Sequence, residues 1–179
     1  MLRNLFLRKK YKEATHAVAN LLMRDWNQIM DTSRDYLCYG LTDEEAAKLE
    51  SADLYCDLGM AVLGVMTYIV AGLGKPEVAT QMVEIYKDLY KGMCDEIPDN
   101  LLHKVSVNEA ANRVNRHYQK AREIADEYMR QGKGLDQILH AFAVSVFIWI
   151  GSKYDEDDVA YIENALTIFH NETQRRFQL

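Results

Sequence analysis

Glu50, Asp53 and Asp57 stand three and four residues apart in a segment rich in helix formers, a spacing that brings three carboxylates to one face of a helix. Hard divalent cations take oxygen ligands, so such a face suits Mg²⁺ or Mn²⁺ and points to a metal-dependent hydrolase. The plainer reading is a solvated acidic row, or one that meets the N-terminal segment. Residues 43–57 hold Asp43, Glu44, Glu45, Glu50, Asp53 and Asp57 against Lys48 alone. Residues 1–12 hold Arg3, Arg8, Lys9, Lys10 and Lys12 with no acid. Asp57 is the most informative of the three carboxylates because it sits where a long apolar run begins.

The row resembles half of the site of all-α nucleotide pyrophosphohydrolases, which draws its carboxylates from two helices; the other half is not evident in this sequence. Glu13 and His16 have the Glu-x-x-His spacing of di-metal carboxylate bundles, but those sites need two such pairs and two further glutamates, and this is the one pair the chain offers. Asp136 and His140 are four apart within an otherwise apolar run, which suggests a partly buried histidine hydrogen-bonded to its neighbour and not a catalytic dyad, since no nucleophile accompanies them. Asn108, Asn112, Asn115 and Gln119 form an amide row suited to a helical interface or a wet surface. Arg113, Arg116, Lys120 and Arg122 make the same stretch locally basic, diluted by Glu109, Glu123 and Asp126. No glycine-rich phosphate loop, G-x-S-x-G or H-E-x-x-H occurs, so no catalytic residue is assigned and no cofactor is expected apart from Mg²⁺ or Mn²⁺ at the carboxylate row.

The elements that must carry these groups are helices. Val107, Ala111, Val114, Tyr118, Ala121, Ala125 and Tyr128 alternate steps of four and three, one continuous stripe. Val159, Ile162, Leu166 and Phe169 repeat it. Tyr11, Ala14, Val18, Leu22 and Ile29 mark a face of the first segment, and Val78, Met82, Ile85, Leu89 and Met93 one of the third. Thr42 to Glu45 reads as a capping box, Gly72 to Pro76 as a stop and a start, Ile97 to Asn100 as a break, and Gly132-Lys-Gly134 as another stop. The acidic Asp155 to Asp158 suits a helix N-terminus. Six helices are expected, over 3–31, 43–72, 76–94, 99–131, 135–151 and 155–177, with a short turn at 32–39. Leu58 to Gly74 and Ile138 to Gly151 are apolar almost all round yet shorter than the ~20 residues a bilayer span needs, so both are expected in the core. Glycines at 59, 64, 72 and 74 suit close helix contacts. The expected fold is an all-α, single-domain bundle over residues 1–179, two apolar central helices sheathed by amphipathic ones.

Composition narrows the function classes. A formal net charge of -6 gives no general attraction for phosphate backbones, so no nucleic-acid partner is expected. The chain's 3 cysteines, Cys38, Cys56 and Cys94, are far apart and odd in number, which suggests free thiols in a reducing cytoplasm. Only 2 prolines interrupt the chain, which favours long helices. With 11 tyrosines and 8 methionines on broad amphipathic faces, pairs such as Tyr36/Tyr39 and Tyr86/Tyr90 are expected at the core rim or lining a partner groove. The function expected is a non-catalytic helical interaction, adaptor or regulatory protein with a protein partner, possibly itself as a twofold homodimer. The alternatives are the metal-dependent hydrolase and a peripheral membrane protein held by residues 1–12, where Leu2, Leu5 and Phe6 accompany the cations. Between docking on the acidic 43–57 segment and lying on a membrane, internal docking is the expectation for that terminus.

Overall fold

The structure is a computed structural model; it describes residues 2–37, 52–96 and 104–178, with side chains described from residue 8 to 33, 56 to 96 and 104 to 178. The described chain is an all-α helical bundle: α1 (Leu2–Leu37), α2 (Ala52–Gly72), α3 (Pro76–Glu96), α4 (Val107–Arg130), α5 (Leu135–Ile150) and α6 (Glu156–Phe177). No helix among the described residues is long and apolar enough to cross a membrane.

The all-round apolar run from Leu58 makes α2 the axis of the bundle. Every residue from Leu58 to Thr67 is buried, and α2 packs against each of the other five helices. A helix covered on all sides must let some neighbour approach its backbone, and Gly64 is where α4 does so. A Cβ there would lie 2.5 Å from the Cβ of His117 and 2.9 Å from the backbone of Val114 and Tyr118. Gly59 does the same for Trp26, whose Cζ2 would lie 3.0 Å from an added Cβ and whose Nε1 donates to the Gly59 carbonyl at 3.0 Å. Gly72 and Gly74 face open space instead; Gly74 serves the α2–α3 turn, with φ +78°. Higher up α2, Tyr68 meets Tyr118 and Phe142 edge to face at 5.8 and 5.7 Å, tying α4 and α5 to the axis.

The second apolar helix is sheathed on fewer sides. α5 packs on α2, α4 and α6 and buries Ile138, Leu139, Phe142, Ala143, Val146 and Phe147. On its outward side Val144 is half-buried and Ile148 stays 59% exposed.

The stripes of α4 and α6 match their burial closely, with Ala111, Val114, Ala121, Ala125, Val159, Ile162, Leu166 and Phe169 all in the core. On α1 the buried face is Ala19, Leu22, Met23, Trp26, Met30 and Ser33, rotated from the expected one, while Tyr11 and Ala14 are exposed. On α3 the core face turns from Val78 and Met82 to Tyr86 and Tyr90, leaving Leu89 exposed. Tyr90 can be buried because its hydroxyl accepts from the Val105 amide at 3.2 Å. That bond also pins the residues that lead into α4, which starts at Ser106 and not near residue 99: the Ser106 hydroxyl accepts from the Glu109 amide at 3.1 Å. α1 continues through the short turn expected at 32–39 as far as Leu37. The expected capping box at Thr42–Glu45 and the break at Ile97–Asn100 lie outside the described residues. At the start of α6 the Asp155 carboxylate accepts from the amides of Asp157 and Asp158, and the Asp158 carboxylate returns the bond to Asp155.

Candidate functional site

Where α1 and α6 meet they leave a cleft of 380 Å³ between Asp25–Thr32 and Tyr161–Arg176. Its position follows from the two buried faces. Met23, Trp26 and Met30 turn α1 toward α2 and α3, and Ile162, Leu166 and Phe169 turn α6 toward the same core, so the flanks of the two helices diverge above it. Ile29, Ala165 and Phe169 line the cleft and Ile168, 55% exposed, stands on its lip. At one end Arg176 donates to both carboxylate oxygens of Asp25, the Nη2 contact being 3.4 Å. At the other the Tyr161 hydroxyl donates to the Ile29 carbonyl at 3.4 Å. Along the lip Glu172 pairs with Arg175 at 3.1 Å and the Thr32 hydroxyl donates to the Gln28 carbonyl at 2.9 Å. Asp25 and Arg176 are thus bonded to each other and Glu172 to Arg175 beside the cleft, and the lining mixes the apolar Ile29, Ala165, Ile168 and Phe169 with the uncharged polar Gln28, Thr32, Tyr161 and Asn164.

The carboxylate row is described in part. Asp57 accepts from Arg113 of α4 at 3.0 Å, and Arg113 also lies 3.6 Å from Glu109, which takes Arg116 at 2.7 Å. Asp57 thus meets a cation of α4. Asp53 belongs to the first turn of α2, but its side chain, like Glu50, lies outside the described residues. Among the described residues no group of three His, Cys, Asp or Glu side chains is placed to hold a metal. Glu13 and His16 are both exposed on α1, where Lys9 lies 4.0 Å from Glu13.

His140 departs from expectation. It is exposed and pairs with Glu163 of α6 at 2.8 Å, not with Asp136, because its ring points across the α5–α6 seam. The amide row Asn108, Asn112, Asn115 and Gln119 is exposed to water throughout. Of the tyrosines singled out, Tyr86 and Tyr90 are in the core and not at its rim, while Tyr36 and Tyr39 lie outside the described side chains.

Among the described residues the imidazole shifted by its surroundings is that of His117, which no motif or spacing in the sequence singles out. It stacks on Trp149 at 5.3 Å, with Lys120 over the same indole at 5.5 Å. Burial, reinforced by Lys120, Arg116 and Arg113, pushes its pKa down to about 4, so the ring is neutral near pH 7. Its Nδ1 is sealed without a hydrogen-bond partner. An unpartnered lone pair costs less than an unpartnered N–H, which assigns the proton to Nε2.

The cleft was also absent from the sequence reading. Ile29 belongs there to the expected stripe of the first segment, Ile168 is not singled out, and nothing local says that residues so far apart in the chain meet. No protein-family model, curated protein or solved structure matches the chain.

Proposed function

We propose that the chain is a non-catalytic interaction protein whose α1–α6 cleft receives an apolar side chain from a helical segment of a protein partner. The observation that carries this reading is that each charged group lining the cleft already has a partner, Asp25 with Arg176 and Glu172 with Arg175 outside it, while Ile29, Ala165, Ile168 and Phe169 offer apolar contact beside the uncharged Gln28 and Asn164. A volume of 380 Å³ takes one or two side chains and not a whole helix, so the partner would insert an anchor and lay its flanks on α1 and α6. Cys94, half-buried on α3, is a free thiol, which supports a reducing compartment such as the cytoplasm.

The test is selection of helical peptides from a displayed library against the whole chain, followed by affinity measurements. Selected peptides should carry an apolar anchor and bind at least tenfold more weakly to Ile168→Asp, with Ile148→Asp unaffected. Binders indifferent to Ile168, or saturable Mn²⁺ binding lost in Asp57→Asn, would replace this reading. A second copy of the chain is the partner we assign to the outward side of α5, where Ile148 and Val144 are left partly bare. Light scattering should then show a dimer at micromolar concentration that Ile148→Glu dissociates; a strict monomer would end that assignment.

A further inference from the structure

α1 is longer than the bundle that holds it. By the helical period, the stripe that faces the core, Ala19, Leu22, Met23, Trp26 and Met30, continues toward the N-terminus through Thr15, Lys12 and Arg8. Those are positions that a bundle-facing helix would fill with apolar residues. Here they are polar, and every residue from Arg8 to Ala14 is exposed. The Tyr11 hydroxyl ties this arm to the start of α3, donating to Glu77 at 2.6 Å. The exposed stretch from Arg8 to Ala14 is on the order of 10 Å long, and Val18 begins the return to the core.

Charge is divided along the same line. The net -6 of the chain separates into +5 for residues 1–12, carried by Arg3, Arg8, Lys9, Lys10 and Lys12, and -11 for the remainder. Leu2, Leu5 and Phe6 occupy neighbouring register positions at the end of the arm. We infer that the N-terminal arm of α1 is an anchor for an anionic membrane surface, its cations meeting lipid phosphates and its first two turns entering the interface. The acidic body is repelled by the same surface, so the arm approaches first and the bundle, with its α1–α6 cleft, stands off in solution. The inference is independent of what the cleft binds, since the two surfaces share no residue.

Co-sedimentation of the full chain with vesicles tests it. At physiological salt the chain should pellet with phosphatidylcholine vesicles containing about a third phosphatidylserine and at least tenfold less with phosphatidylcholine alone; 0.5 M salt should release it, as expected for Debye screening. Each cation removed should weaken binding about fivefold. Arg8→Glu with Lys12→Glu should therefore abolish sedimentation while leaving the melting temperature unchanged. Phe6→Ala should weaken binding without changing its salt dependence. Failure of the wild-type chain to pellet with the anionic vesicles overturns the inference. So does pelleting that survives the double charge reversal. A double variant that melts earlier, with no vesicle binding in the wild type, would instead place the arm on an acidic segment of the chain itself.

Discussion

Replacing Gly64 with alanine probes the tightest of the glycine contacts among the described residues. The new methyl would sit 2.5 Å from the His117 Cβ and 2.9 Å from both the Tyr118 amide nitrogen and the Val114 carbonyl oxygen. Carbon atoms prefer ~3.5–4.0 Å, so α4 must retreat by about 1 Å along a seam that also carries the Tyr68–Tyr118 contact. Two of the three obstructing atoms are backbone and cannot swing aside. Overpacking of this kind costs ~1–3 kcal/mol, offset by the ~1 kcal/mol that alanine gains over glycine inside a helix. The net is a loss of up to about 2 kcal/mol, a fall of as much as roughly 8 °C in melting temperature for a domain of this size. Two controls calibrate the result. Gly72→Ala meets nothing within 4 Å and should be neutral or slightly stabilising. Gly59→Ala meets the Trp26 ring at 3.0 Å and should fall between the two. Thermal melts followed by circular dichroism, with urea titrations for the free energies, rank the three. A Gly64→Ala protein as stable as Gly72→Ala would refute the close α2–α4 crossing.

Val146→Asp places a charge at a fully buried position of α5 with no cation provided for it, and should cost several kcal/mol, enough to leave little folded protein; a soluble variant melting near wild type would contradict the packing of α5 on the core. His117 should make the fold acid-sensitive. Its folded pKa, about 4, lies below the ordinary ~6.5, so between these values the unfolded chain takes up a proton that the folded chain refuses, and stability falls as pH falls through that window. Allowing for the partial exposure of the ring, the loss is ~1–2 kcal/mol, and denaturant titrations at pH 7 and pH 4.5 should show it shrinking in His117→Gln; an equal acid loss in both proteins would remove His117 as its source. Asp155→Ala deletes an acceptor for two amides at the start of α6 and should cost about 1 kcal/mol, which the same titrations resolve.

Much of the fold was legible because helical period and burial are the same information in a bundle. The alternating steps of 107–128 and the apolar run from Leu58 named the inner face of α4 and the axial helix. Errors arose where a residue's partner is distant. The stripe assigned to α1 began at Tyr11 because period alone does not say where a helix leaves its bundle. Leu89 was preferred to Tyr90 because a buried hydroxyl is acceptable only with a partner, here the Val105 backbone. His140 was given its neighbour Asp136, although the seam with α6 offers Glu163. The start of α4 was written in the sequence as Ser106-x-x-Glu109 and was overlooked in favour of the nearer proline. Of the site, the sequence supplied Asp57 and the basic side of α4 but not their meeting at Arg113. It supplied neither side of the cleft as a site, since residues 25–32 and 161–176 acquire a common surface only through their separate packing on the core.

The central claim, that the α1–α6 cleft takes an apolar anchor from a partner segment, is tested most directly by isoleucine methyl NMR during titration with a selected peptide. Ile29 and Ile168 frame the cleft, whereas Ile85 and Ile124 lie on helices outside it. The account predicts that the Ile29 and Ile168 methyl signals shift together and saturate with the binding isotherm, while Ile85 and Ile124 stay in place. Shifts centred on Ile85, Ile124 or Ile148, with Ile29 and Ile168 unmoved, would contradict it.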